Sequence, residues 1–186
     1  MNRIFLTLAA LSLLLILSAM FLGLTMGDLY AQPVTDETLV WARVHRLTGL
    51  AAALSVVLVN SIAVTYFVGT SRWCKEVVEA YRLDPSLARE SAALKRRTFP
   101  WAVFGMLTVV GVTALGGAAD PATLQANTAG WAVYHLAGAL VGIGFVLWVY
   151  VVCWTNIDSH HHLVLRIVAE VRRIRQERGL EVEEVA

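Results

Sequence analysis

The chain has 186 residues, of which 58% are hydrophobic and only 16% charged, with a formal net charge of +1. A soluble domain carries about 25% charged residues, and so small a net charge leaves no electrostatic footprint for nucleic acid. Charge is absent from Ile4–Gly27, Leu47–Ser71, Thr98–Ala119 and Pro121–Ile157. Each stretch can supply the roughly 20 apolar residues of a spanning helix. The unbroken runs do not fit the alternation of a β-barrel, and no room remains for a soluble catalytic domain. The predicted fold is an all-α integral membrane protein: four transmembrane helices in a bundle, followed by a C-terminal amphipathic interfacial helix.

The first helix is predicted over about 4–26. Its apolar run exceeds the 7–15 residues of a signal-peptide core, which favours a retained span. An acidic outer segment follows, with Asp28, Asp36 and Glu37. The second helix covers about 40–68, and its first turns hold Arg43, His45 and Arg46. A polar connection comes next, with Arg72, Lys75, Arg82, Arg89, Lys95, Arg96 and Arg97 among its residues. Within it Ser71–Leu83 is expected to form a separate short helix, and Asp84-Pro85-Ser86 a turn or helix start. The third helix is predicted over about 99–117 and the fourth over about 130–155. Residues 1–158 thus form a transmembrane domain. Residues 159–186 form a cytoplasmic amphipathic helix, with Leu163, Ile167, Val171 and Ile174 near one face, and an acidic tail.

Twelve of the fifteen Lys and Arg residues lie in the second connection and the tail, and the two opposite loops carry none. The positive-inside rule therefore predicts both termini in the cytoplasm and a multi-pass protein of a bacterial inner membrane. Trp41 and Trp131 would mark the outer interface. Trp73, Trp101 and Trp154 would mark the inner one. Cys74 and Cys153 fit no C-x-x-C or C-x-x-C-H pattern and are expected to be reduced structural thiols.

His45 follows Trp41 by four residues, and His135 follows Trp131 by four. Both histidines should therefore lie at one depth, about 6 Å inside the interface. Two neutral imidazoles facing each other across a bundle are a natural axial pair for one non-covalent haem b. Gly49, Ala52 and Val56 continue the His45 face. Gly138, Ala139 and Gly142 continue that of His135, while Gly105, Thr108, Gly111 and Val112 offer small groups on the third helix. Small residues let a flat macrocycle approach the backbone, although they also serve ordinary helix packing. Arg46, and less directly Arg43, could bind propionates at the aqueous edge. Snorkelling to lipid phosphates is the alternative. The histidines could instead make an interhelical polar pair. Met20, Met26 and Met106 read as apolar filler, and Asn60 as an interhelical hydrogen-bonding group or a quinone contact. His160–His162 read as a polar turn.

The H-R-L-T-G of His45–Gly49 and the H-x-x-G of His135–Gly138 resemble membrane-bound b-type cytochrome subunits. More distantly they resemble the membrane anchors of succinate dehydrogenase and fumarate reductase, which carry H-R-x-x-G near the start of a helix. That resemblance implies a quinone-site role for Arg46 and a ligand role for His135. In this chain the motif stands on the second helix rather than the first. The functional expectation is a non-catalytic electron-transfer subunit. It would carry electrons through one bis-histidine haem near the outer face, between a periplasmic-side electron-transfer protein and quinone or another membrane cofactor. Its neighbours would be other subunits of a redox complex and lipids. The alternative is a cofactor-free structural or accessory subunit of a larger membrane complex.

Overall fold

A computed structural model describes residues 1–180. It contains four long helices: α1 (Asn2–Thr25), α2 (Asp36–Tyr81), α3 (Pro85–Ala119) and α4 (Thr128–Glu177), with one 3-10 turn at Pro121–Thr123. By length and composition all four are able to cross a membrane. Many of their apolar side chains, among them Leu14, Leu54, Val110 and Val141, point outward, as lipid-facing positions do because bilayer tails impose no penalty on them. The predicted acidic tail beyond Leu180 lies outside the described residues.

The helices alternate in direction. The start of α1, the α2–α3 turn and the end of α4 lie together on one side, here termed the terminal side. A side-chain hydrogen bond from Asn2 to Asp158 joins the first and last helices there. Both remaining connections and both histidines of the paired W-A-x-x-H motifs lie toward the opposite side, the loop side.

The α2–α3 turn takes only three residues, for local reasons. Arg82 adopts a left-handed conformation (φ 54°), and the Leu83 amide returns to the Val78 carbonyl at 3.0 Å, closing α2. Asp84 then accepts the Ser86 amide at 2.8 Å and Pro85 opens α3. That hydrogen bond holds the exposed Asp84 carboxyl below the usual carboxylate range.

Three boundaries differ from the sequence expectation. Ser71–Leu83 is not a separate helix but, through Tyr81, the continuation of α2. α3 begins at Pro85 and runs through Pro100 into the membrane segment. The amphipathic tail is not a distinct interfacial helix: α4 continues unbroken for 50 residues, about 75 Å. No proline or glycine interrupts it between Gly144 and Glu177. The apolar face read as membrane-facing is core, since Leu163 and Ile167 are fully buried and Val171 and Ile174 are half-buried against other apolar side chains. Leu163 and Ile167 belong to the same cluster as Phe67, Val78 and Leu94 of α2 and α3. Across the bundle Arg166 ties α4 to Glu90 of α3, with both N–O distances 2.6 Å. α2, α3 and α4 extend well beyond a hydrocarbon layer of about 30 Å, and their terminal-side ends pack against one another.

The two hairpins α1–α2 and α3–α4 repeat one pattern. Phe5, Ala9 and Ser12 are buried in α1, and Thr98, Ala102 and Gly105, at one constant interval, are buried in α3. Val56, Val59, Asn60, Ala63 and Phe67 of α2 correspond in the same way to buried Val146, Val149, Tyr150, Cys153 and Ile157 of α4. Trp41-Ala42-x-x-His45 matches Trp131-Ala132-x-x-His135 at the interval that relates α2 to α4.

Candidate functional site

A cavity of about 560 Å³ opens between all four helices toward the loop side. Its lining on α2 follows Ala42, His45, Gly49 and Ala52. On α4 it follows Ala132, His135, Ala139 and Gly142. Both sets step by three, four and three residues, so each is one helical stripe. The repeated stripes bring the histidines together: their ring centres are 6.2 Å apart and their planes are inclined by 73°.

Each imidazole rests on a glycine of the helix before it. A Cβ at Gly23 of α1 would lie 2.8 Å from His45 Cε1, and a Cβ at Gly116 of α3 would lie 3.0 Å from His135 Cε1. A side chain at Gly23 would force the ring to move, and one at Gly116 would press it tightly. Gly23 and Gly116 are equivalent in the repeat and close the cavity behind the two histidines. His45 Nδ1 stands 2.9 Å from the Ala19 carbonyl oxygen. A carbonyl only accepts, so Nδ1 carries a proton, and in the neutral ring the lone pair is on Nε2. His135 interacts with the Val112 carbonyl, yet its buried Nδ1 completes no hydrogen bond. The ring is therefore less firmly oriented than that of His45.

Of the residues singled out from the sequence, His45, Arg46, Gly49, His135 and Gly142 line the cavity. Arg43 and Gly138 do not. Arg43 is exposed on another face of α2, and Gly138 meets Leu115 of α3, whose Cδ1 would be 2.8 Å from an added Cβ. Met20 and Met26 are lining residues, whereas Met106 receives a hydrogen bond from Ser61 Oγ.

Arg46 has a carboxylate partner within the protein. Its Nη1 lies 2.7 and 3.0 Å from the two oxygens of Asp120, at the end of α3. Beside this pair Tyr30 donates its hydroxyl to the Ala119 carbonyl at 2.6 Å. That bond draws the first loop over the cavity mouth. Partial burial and the charges of Asp120 and Asp28 raise the Tyr30 phenol above its ordinary pKa, so it remains a donor at neutral pH.

Polar contacts continue beneath the cavity. Ser12 Oγ lies 2.9 Å from both Ser55 Oγ and Tyr150 Oη, joining α1, α2 and α4. Asn60 does not bond across helices as expected. It donates to Val56 in its own helix at 2.9 Å, and its buried Oδ1 has no partner. Nearer the terminal side, His160 sits inside α4 and is fully buried, which corrects its reading as part of a turn. Its Nε2 lies 2.9 Å from Ser91 Oγ and its Nδ1 3.2 Å from Tyr66 Oη, while Ser91 donates to Ser71. His161 and His162 are exposed. Cys74 and Cys153 are free and buried.

Gly23, Gly116, Ala19, Asp120 and Tyr30 were not legible as site residues. The signal that could have found the glycines is the internal repeat, since Leu22-Gly23 recurs as Leu115-Gly116. Among the described residues no group of three or more His, Cys, Asp and Glu side chains is placed to hold a metal ion. No family model, curated protein or solved structure matches this chain.

Proposed function

We propose that this multi-pass membrane protein is a cytochrome b subunit that holds one haem b between His45 and His135 and passes electrons through it. The reading is carried by the facing imidazoles on the wall of an apolar cavity. Two imidazoles that held one iron between them would have ring centres about 6 Å apart, since a metal-bound nitrogen lies about 2 Å from the metal and about 1 Å from its own ring centre. The 6.2 Å between the ring centres of His45 and His135 supports that role. The donor chemistry also fits, because with Nδ1 bonded to the Ala19 carbonyl the neutral His45 ring has its lone pair on Nε2. The cavity volume is in the range of cofactor pockets, about 300–1,000 Å³.

When bound, haem b supplies a one-electron couple. The chain's own residues do the rest. His45 and His135 offer nitrogen lone pairs from facing helices. Gly23 and Gly116 admit the rings against the backbone, and Ala52, Ala139 and Gly142 keep the walls apolar and shallow. Arg46 and Asp120 set the charge at the mouth. The site lies near the loop side, where a partner could exchange electrons over a short distance. The positive-inside bias favours a periplasmic position for that side. Quinone or another membrane cofactor would complete the route.

The second reading is a cofactor-free structural or accessory subunit of a larger membrane complex. It is favoured by the limit of two candidate ligands at the site and by the His45–Ala19 bond, which by itself ties α1 to α2. Absorption of the purified full chain separates the two. A Soret band with a b-type α band, at about one haem per chain and retained after solubilisation, supports the cytochrome. A colourless protein that takes up no added hemin and still copurifies with partners supports the accessory subunit.

A further inference from the structure

Residues 27–34 join α1 to α2 on the loop side. Gly27, Asp28, Leu29 and Tyr30 line the same cavity as His45 and His135, so the segment lies across its mouth. Both of its ends are fixed. Gly27 turns the chain out of α1 at φ 87°, a conformation that residues with a Cβ rarely adopt. Thr35 caps α2 by accepting the Thr38 amide at 3.2 Å.

The middle of the segment is held far more lightly. Asp28 Oδ1 accepts the Tyr30 amide at 2.8 Å, which closes a turn within the segment. Leu29, Tyr30 and Val34 are half-buried and the other residues are exposed. Among the described residues, the Tyr30 hydroxyl makes the only hydrogen bonds from residues 28–34 to the rest of the chain. It donates to the Ala119 carbonyl at 2.6 Å, with the Thr128 carbonyl at 3.5 Å. Ala119 stands in the last turn of α3, where a carbonyl has no amide further along the helix to bond. The phenol supplies the donor that the helix lacks. A segment with fixed ends, no buried residue and a single such tie opens at low cost. The four helices would stay packed when it did, because none of the core cluster lies within it.

We propose that residues 27–34 form a hinged lid, latched by Tyr30 on Ala119, whose opening admits molecules to the cavity from the loop side. The lid rests on the cavity and its mouth, and is independent of any haem. Ala132 provides the test. It lines the cavity one turn inside Thr128 and short of His135, so a label can reach it without passing an occupant held by the histidines. The full chain carrying Ala132→Cys, in lipid nanodiscs, is treated with a charged methanethiosulfonate reagent, and the labelling rate is read by mass spectrometry. Cys74 and Cys153 are fully buried and serve as the internal check of folding. Adding Tyr30→Phe keeps the ring and removes the donor. It should speed labelling at position 132 about fivefold, the population factor for one neutral hydrogen bond. Asp28→Ala should also speed labelling, because it removes the acceptor that holds the Tyr30 turn, whereas Asp28→Asn keeps an acceptor and should match the parent. Equal rates in the parent and the Tyr30→Phe chain, or no labelling in either, would overturn the lid. A parallel rise at Cys74 and Cys153 would show loosening of the whole bundle and would overturn it too. The Soret absorbance of each sample reads the cofactor separately, so a colourless chain with a Tyr30-dependent rate would keep the lid and lose the haem.

Discussion

His45 and His135 face each other from equivalent places in two like hairpins, with ring centres 6.2 Å apart. Each is backed by a glycine of the preceding helix. Each ring is seated by its own hairpin, and the packing of the two hairpins brings the rings together.

If the pair holds haem, His45→Ala and His135→Ala should abolish the low-spin spectrum alike, by loss of haem or by conversion to a five-coordinate form. Optical and electron paramagnetic spectra of the purified variants check this. Native protein, with both axial positions filled, should bind carbon monoxide poorly. Haem retained with an unchanged spectrum in both variants would assign it to other ligands or to a partner.

The supporting glycines give a separate test. Gly23→Ala places a methyl 2.8 Å from His45 Cε1, and Gly116→Ala places one 3.0 Å from His135 Cε1. Each ring must shift, at a cost of about 1–3 kcal/mol for overpacking. Both variants should lower the melting temperature and perturb the spectrum, Gly23→Ala more so because it also strains the bond to Ala19. A silent Gly23→Ala would show that the wall yields freely.

Charge at the mouth should tune the midpoint potential in opposite directions. Oxidised haem carries one more positive charge than reduced haem, so a nearby cation favours reduction. Asp120→Asn leaves Arg46 unbalanced and should raise the potential; Arg46→Gln should lower it. Both groups are partly exposed, and the shifts should be a few tens of millivolts, about 59 mV being a tenfold change for one electron. Redox titration reads the sign, and shifts in the same direction would place the pair outside the field of the haem.

Truncation after Asp158 should destabilise the whole bundle, because it removes fully buried Leu163 and Ile167. Ile167→Ala alone should cost about 2–5 kcal/mol. His160→Ala strands the Tyr66 hydroxyl and leaves Ser91 with Ser71 alone, and should cost about 1–3 kcal/mol while leaving the haem spectrum unchanged. Thermal unfolding in detergent measures all three. A truncated protein as stable as wild type would return the tail to the membrane surface.

Orientation is tested by labelling. A reporter at Arg89 should behave as cytoplasmic and one at Gln125 as external, following the charge bias. The reverse pattern would move the histidine site to the cytoplasmic face without altering its geometry.

The four apolar helices, their order and the equal depth of His45 and His135 could be read from the sequence, because a bilayer imposes a length and a charge rule on any segment that crosses it. The ends of the helices could not. Leu163, Ile167, Val171 and Ile174 make an amphipathic stripe whether they lie on lipid or inside a bundle, since periodicity records one apolar face and not what covers it. Only the packing of α2 and α3 beyond the membrane decides for the bundle. Arg46 likewise announced a cation at the mouth, but its partner Asp120 lies far along the chain and meets it only through the α2–α3 packing. Gly23 and Gly116 have no distinguishing local signature as glycines in apolar helices. Their role is created by a ring on another helix, at a distance that tertiary structure alone determines.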